Sequence, residues 1–316
     1  MSNSTSEKVA ERKRHSALVS FLIRLVREKP LGMVGGIITL LLLFAGIFAD
    51  FLAPFGYNQL TGEYLAPPSA QYWLGTDNLS RDMLSRIIFG ARISVIVGLA
   101  APGLSTVIGV FIGTLCGYLG GKFDLIVQRF VDAVMCLPWL VLLMVLIAFL
   151  GASMWTLILC TGVVWGITSS RFPRSVVFSI RENVYVEAAR AIGCPTSRIL
   201  ARHILPNIMA PIITGFTAAV PGVILVEASL SFLGYGIPPP VPSWGGMLGA
   251  EGRTYMFLAP WIAIWPGLAL SIVVYGINMF GDAVRDLLDP KLRGGVGRYG
   301  VKHPEKKWQK KMRTLP

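Results

Sequence analysis

The sequence predicts an all-α, polytopic membrane protein with six transmembrane helices. Three observations carry that reading. Of 316 residues, 53% are apolar and only 15% are Asp, Glu, Lys or Arg, against about 25% charged in an average soluble domain. Several apolar stretches reach the roughly 20 residues that a helix needs to cross a hydrocarbon core. Glycine is abundant, at 34 residues, and it is more frequent in membrane helices than in soluble ones.

Residues 1–30 read as a polar, basic cytoplasmic segment. Its polar start, and the length of the apolar run that follows, do not fit a cleavable signal peptide. Within it, residues 16–29 combine apolar positions with Arg24, Arg27 and Lys29, the pattern of a short amphipathic helix at a membrane surface. Pro30 favours a break before the first span. The membrane body then occupies 31–290, with spans expected at 31–53, 93–119, 130–150, 154–167, 208–234 and 262–281. A basic tail fills 291–316. Two outer regions, 54–86 and 235–260, are rich in proline and read as ordered lids. Trp73, Trp261 and Trp265 fit an interfacial belt.

Lysine and arginine counts give orientation. Seven lie in the first 30 residues, two near the turn at Lys122 and Arg129, six from Arg171 to Arg202, and ten from Arg285 to Arg313. That places 25 of 29 on one face, leaving Arg81, Arg86, Arg92 and Arg253 on the other. Six spans with both termini in the cytoplasm satisfy this bias.

The same distribution argues against nucleic acid as the partner of the +12 net charge, because no basic surface interleaved with aromatics is visible. The four cysteines are scattered without a CxxC pair and read as small hydrophobes. Three histidines without acidic neighbours give no metal site. No GxxxxGK[ST] phosphate loop is present, and no nucleophile or acid–base pair stands out.

Polar residues 184–206 interrupt this apolar chain. Val184 to Ile192 suits a short helix, Gly193 can end it, and Pro195 suits the first turn of a second helix, bounded by Pro206. Ala188, Ala189, Ala191 and Gly193 keep the pair thin, while Arg190, Arg198 and Arg202 make it basic. Such a knob can fill a groove on a soluble partner; an ordinary connecting hairpin is the plainer alternative.

Here the sequence resembles the membrane permease subunits of bacterial ATP-binding-cassette importers. Their signature, Glu-Ala-Ala, three residues, Gly, nine residues, Ile, any residue, Leu-Pro, falls on Glu187-Ala188-Ala189, Gly193 and Leu205-Pro206. His203 stands where the family has Ile, and Ile204 is adjacent. Further matches include Leu74-Gly75-Thr76-Asp77, Ser80 to Arg86, Glu227 to Gly234, Pro242 to Gly245 and Gly281-Asp282. They resemble the dipeptide/oligopeptide group, of the DppC/OppC type that pairs with a second, non-identical permease.

The resemblance implies a type I importer fold in a bacterial inner membrane. It also implies ATP and magnesium bound by two partner ATPases rather than by this chain, a homologous permease partner, and an extracytoplasmic solute-binding protein. The coupling helices would be about 184–203. Glu187, Ala188, Ala189, Arg190, Gly193, Pro195, Arg198, His203, Leu205 and Pro206 would meet the ATPases. Cargo would be di- or oligopeptides, with nickel, glutathione or opines as alternatives on the same architecture. An ion-driven secondary transporter is the competing class.

Outside the knob, Glu227 is an acid in or near the fifth span, where a lone carboxylate is expensive in lipid. With Ser231 it is a candidate for the pathway or outer gate, or for a structural hydrogen bond. Asp77, Arg81, Asp82 and Trp244 are candidates for contact with an external partner. Asp132 is expected to pair with Arg129 or a base of the knob, and Asp282 with Arg285 to form a network at the inner face.

Overall fold

The computed structural model describes residues 17–288, with side-chain surroundings from residue 23 onward except at residue 250. The start of the expected N-terminal segment and the tail at 291–316 lie outside the described residues. Among the described residues the chain is helical, and extended pairing is limited to two isolated bridges.

Helix α1 (Ala17–Glu28) is followed by α2 (Pro30–Ile47). Pro30 occupies the first turn of α2, where a missing N–H has no partner to lose, so the expected break is present. Leu25 of α1 packs on Ala283 and Leu287, and Lys29 Nζ reaches Asp286 at 2.5 Å. A short α3 (Ala49–Leu52) finishes the first span before Pro54.

Helix α4 (Met83–Leu119) starts well before residue 93. Arg86 and Arg92 make its first turns too polar to read as a span. The structure neutralises both: Arg92 Nη2 lies 2.6 Å from Asp50, and Arg86 joins a buried ion cluster. Asp82 caps the helix, its Oδ2 accepting from Ser85 N at 2.8 Å and Ser85 Oγ at 2.7 Å.

The third expected span is not one straight helix. Helices α5 (Gly121–Met135) and α6 (Trp139–Leu150) meet at 87°. Pro138 removes a donor and restricts the residue before it, so the chain turns at Cys136–Pro138. Helix α7 (Met154–Ser169) runs through Ser170 into α8 (Arg171–Ile180). Its 16 residues rise about 24 Å, short of a hydrocarbon core of roughly 30 Å.

Next come α9 (Val184–Ala191), α10 (Thr196–Ile199), a π-helical turn at Leu200–Ile204, and α11 (Leu205–Phe232). A short helical segment follows, made of α12 (Trp244–Gly246), a second π turn and α13 (Arg253–Tyr255). It precedes α14 (Trp261–Leu288). Among the described residues, four helices can cross a membrane by length and composition: α2, α4, the run Thr196–Phe232, and α14. Counting the α5–α6 pair as one broken span makes five. The expected six therefore exceeds what length supports, because the third span is bent and the fourth is short.

Glycines set the packing. On α4, a Cβ at Gly109 would lie 2.7 Å from Ser169 Oγ, at Gly113 2.3 Å from Ser170 O, and at Gly117 2.8 Å from Arg174 O. The fourfold spacing aligns them on one face, and α7–α8 lies directly against it. Helices α2 and α14 meet in the same way, where a Cβ at Gly35 would lie 2.3 Å from Gly276 O. Small residues let helices approach where lipid offers no hydrophobic driving force. The cysteines are free: Cys116 and Cys160 are buried and Cys136 is exposed.

Candidate functional site

The hairpin at 184–199 is built as a rigid knob. Helix α9 ends in a Schellman motif: Cys194 N donates to Ala189 O at 3.1 Å and Gly193 N to Arg190 O at 2.9 Å. Gly193 has φ +77°, a region that side chains with a Cβ rarely enter. Val186 and Ala189 point inward and join Val177, Ile199, Ile204 and Ile208 in one apolar cluster.

The opposite face of α9 is bare. Val184 and Ile192 are 81% and 80% exposed, and Glu187, Ala188 and Ala191 lie exposed between them. The two alanines of the Glu-Ala-Ala run therefore do different work: Ala189 packs inside, and Ala188 keeps the outer face flat. Among the described residues the Glu187 carboxylate has no hydrogen bond or ion pair. Arg190 Nε donates to Tyr118 Oη at 3.3 Å, with its guanidinium 4.9 Å over the ring. Tyr118, Leu119, Arg181, Glu182, Glu187 and Arg190 surround an open cavity of about 470 Å³.

Pro195 caps α10 rather than sitting inside its first turn. Arg198 and Arg202 are exposed. Pro206 does not bound the second helix, as the sequence suggested. The chain stays helical from Thr196 to Phe232, because the π turn absorbs the proline: Leu205 N bonds to Leu200 O, five residues back. Such turns insert one extra residue into a helix. That extra residue places Ile204, fully buried, in the apolar cluster, while His203 is half-buried and Leu205 and Pro206 are exposed. The second helix of the knob and the fifth span are thus one continuous helix, to which α9 is joined through the turn at Gly193.

Ion pairs brace the helices around it. Arg174 forms a two-point contact with Asp124 at 2.5 and 2.6 Å. Asp132 pairs with Arg171 and, at 3.5 Å, with Arg129. No base of the knob reaches Asp132 among these pairs. Asp282 and Arg285 are exposed and form no network with each other among the described residues; Asp286 takes Lys29 instead.

At the opposite end, residues 54–82 and 243–259 form a cap over the helix ends. Thr76 is its hub: its Oγ1 donates to Glu63 O and accepts from Ala66 N, both at 2.7 Å. Trp261 Nε1 donates to Thr76 O at 3.1 Å, so this tryptophan anchors the cap. Trp73 is exposed.

Asp77, Arg81, Asp82 and Trp244 are all buried. Arg81 Nε donates to Asp77 Oδ2 at 2.7 Å and Arg81 Nη2 to Glu251 Oε1 at 2.6 Å. Arg86 joins both acids, at 3.3 and 3.2 Å. Trp244 Nε1 donates to Ile87 O, its ring packed on Gly90. Direct contact of these four side chains with an external partner does not fit their burial; they hold the shape of the surface above them.

Glu251 completes this cluster and was not singled out from sequence. It is the lone acid of 235–260, which was the available signal. Burial pushes its carboxyl above the ordinary range, and the charge of Arg86 opposes that shift. Glu227 is 1% exposed and accepts from Ser231 Oγ at 2.7 Å. Gly245 packs against the Ala228 backbone beside it, so Glu227 and Ser231 lie inside the seam between α11 and the cap.

Crossing helices, a rigid bare knob at one end and a braced cap at the other define a multi-pass membrane transport subunit. Residues 109–294 match the family model described as the binding-protein-dependent transport system inner membrane component. Residues 16–72 match the N-terminal transmembrane domain of oligopeptide transport permease C. The chain belongs to this family of importer permeases.

It is 38% identical over 270 residues to the oligopeptide transport system permease protein OppC of Bacillus subtilis, covering 84% of this chain and 88% of that one. It is 36% identical over 277 residues to the glutathione transport system permease protein GsiD of Escherichia coli O6:K15:H31, covering 86% and 90%. A solved structure of the MetNI methionine ABC transporter in inward-facing conformations shares the fold. The TM-score is 0.50 at 17% identity, over 66% of this chain and 98% of that one.

Proposed function

We propose that this chain forms half of the translocation pathway of an ATP-driven importer of short peptides. ATPase motion enters through the hairpin of Glu187 to Gly193. The observation that carries this reading is the unbroken helical rod from Thr196 to Phe232, with the bare face of α9 at its head. A push on that face tilts a spanning helix directly; a flexible link would absorb it.

Two ATP-binding subunits would seat α9 in a groove, with ATP and magnesium held there and no catalysis on this chain. Glu187, Ala188, Arg198 and the half-buried His203 would lie at or near that junction. A second, homologous permease would complete the pathway. A solute-binding protein would dock on the cap, and both termini would lie in the cytoplasm. Peptide cargo is supported by the names of the relatives, which include oligopeptide, dipeptide and glutathione systems. Glutathione is itself a short peptide and is the favoured alternative within the class.

The test is the complete transporter in vesicles carrying Glu187→Lys. Loss of a charge-assisted contact and its replacement by repulsion should lower binding-protein-stimulated ATP hydrolysis about tenfold or more. Peptide affinity of the isolated binding protein should not change. Full stimulated hydrolysis in the variant removes the hairpin from the coupling route. Uptake driven by an ion gradient without the ATPases removes the importer class.

A further inference from the structure

Helix α14 exposes Ser271, Tyr275, Asn278, Asp282 and Arg285, all polar and spaced by three or four residues. That spacing puts them on one face. Tyr275 is 70% exposed. Polar and charged side chains on a spanning helix face protein or water, because lipid exposure is costly. The hairpin end of this stripe opens on a cavity of about 690 Å³ between α8, α11 and α14. Asn278, Asp282 and Arg285 line it, with Thr214 across from them on α11.

Three aspartates near that end of the bundle are matched, Asp124 with Arg174, Asp132 with Arg171 and Asp286 with Lys29, whereas Glu187 on the hairpin is not. Asp282 and Arg285 are left without an ion pair or hydrogen bond among the described residues. Asn278 Nδ2 donates to Val274 O at 2.9 Å, which leaves its carbonyl oxygen available.

We propose that this cavity is a transit site for zwitterionic short peptides, with Asp282 receiving the terminal ammonium and Arg285 the terminal carboxylate. The inference rests on the peptide-importer reading and names how that importer handles its cargo. Side chains three apart on a helix have Cβ atoms about 5–6 Å apart. An extended dipeptide spans about 7 Å, so the two charges can reach both ends of one dipeptide. Arginine matches a carboxylate with two parallel hydrogen bonds, and the Asn278 oxygen can accept the peptide N–H. Nothing in this set reads a cargo side chain. A route built this way passes many sequences and still excludes solutes lacking both charges.

The experiment uses the complete transporter in vesicles at saturating binding protein, with dialanine as cargo and ATP hydrolysis measured in parallel. Asp282→Asn and Arg285→Gln should each lower dialanine moved per ATP about tenfold, the loss of one charge-assisted contact. Stimulated hydrolysis should stay within about twofold, a difference of roughly 0.4 kcal/mol. The exchange variant D282R/R285D presents the same two charges in reverse and should recover most of the loss. Unchanged transport per ATP in both single variants overturns the proposal, as does a loss that the exchange does not recover. Failure of either single variant to assemble also overturns it, by assigning the pair to the seam with the partner permease. If the unaltered transporter moves no dialanine, the peptide-importer reading falls first, and this outcome is separate from all of the others.

Discussion

Replacing Asp77 with asparagine is expected to destabilise the protein by about 3–5 kcal/mol, the range for removing one partner of a buried ion pair. Asp77 is fully buried, and its Oδ2 takes Arg81 Nε at 2.7 Å with Arg86 Nε at 3.3 Å. Its Oδ1 accepts from Leu79 N and Arg81 N. Asparagine keeps the shape but removes the charge, leaving two buried guanidinium groups with Glu251 as their remaining acid. The measurement is the midpoint of heat-induced loss of monodisperse protein in detergent. A midpoint equal to wild type would show that the cluster is solvated and carries no such load. Adding Arg86→Met removes the uncompensated charge and should recover part of the loss; the non-additivity of the double variant measures the coupling. Glu251→Gln should do less harm, because the Glu251 side chain is 14% exposed.

The second large effect is expected at Gly113. A valine Cβ there would lie 2.3 Å from Ser170 O, 2.8 Å from Pro173 Cγ and 2.9 Å from Arg174 N. Two of those atoms are backbone and cannot move aside alone, so α4 and α8 must separate. Separation also loosens the contacts at Gly109 and Gly117 on the same face. Overpacking of this kind costs about 1–3 kcal/mol and sometimes more, and Gly113→Val belongs at the upper end. Gly103→Val is the control: nothing lies within 4 Å of a Cβ there, so stability should change by less than about 1 kcal/mol. Both are read by yield of folded protein and by the same thermal midpoint. Equal behaviour of the two variants would contradict the close α4–α8 crossing. Because α8 leads into α9, Gly113→Val should also depress stimulated ATP hydrolysis in any fraction that folds.

Part of the hairpin's shape is legible in the sequence. Gly193 between two short helical patterns announced a turn that needs positive φ, and the Schellman bonds form there. The thinness of the knob followed from its alanines. What could not be read was direction: Ala188 and Ala189 are identical in sequence, and only the neighbouring Val177 and Ile204 decide which one is buried. The role of Pro206 was misread for a related reason. Proline usually ends a helix, but a π turn supplies the extra residue that lets the helix pass it, and no local signal marks that turn.

The start of α4 was hidden because Arg86 and Arg92 are unfavourable in a span unless paired. Their partners, Glu251 and Asp50, lie 165 and 42 residues away. Arg81 becomes part of the frame of the cap through Glu251, 170 residues away, while Asp77 and Asp82 are buried on local partners, Arg81 and Ser85. The polar stripe on α14 is the converse case. Its spacing is visible in the sequence, but that Asp282 and Arg285 remain unpaired above a cavity is a fact of the folded bundle.

Composition and periodicity alone determined that this chain is helical, lies in a membrane and carries a polar two-helix knob. Those properties depend on the solvent each residue tolerates and on the backbone freedom of glycine and proline. The tertiary structure decided which charges are paired, where the third span bends and how the knob joins the fifth span. Each of those outcomes depends on partners remote in the chain or on a helix register that no short window of residues encodes.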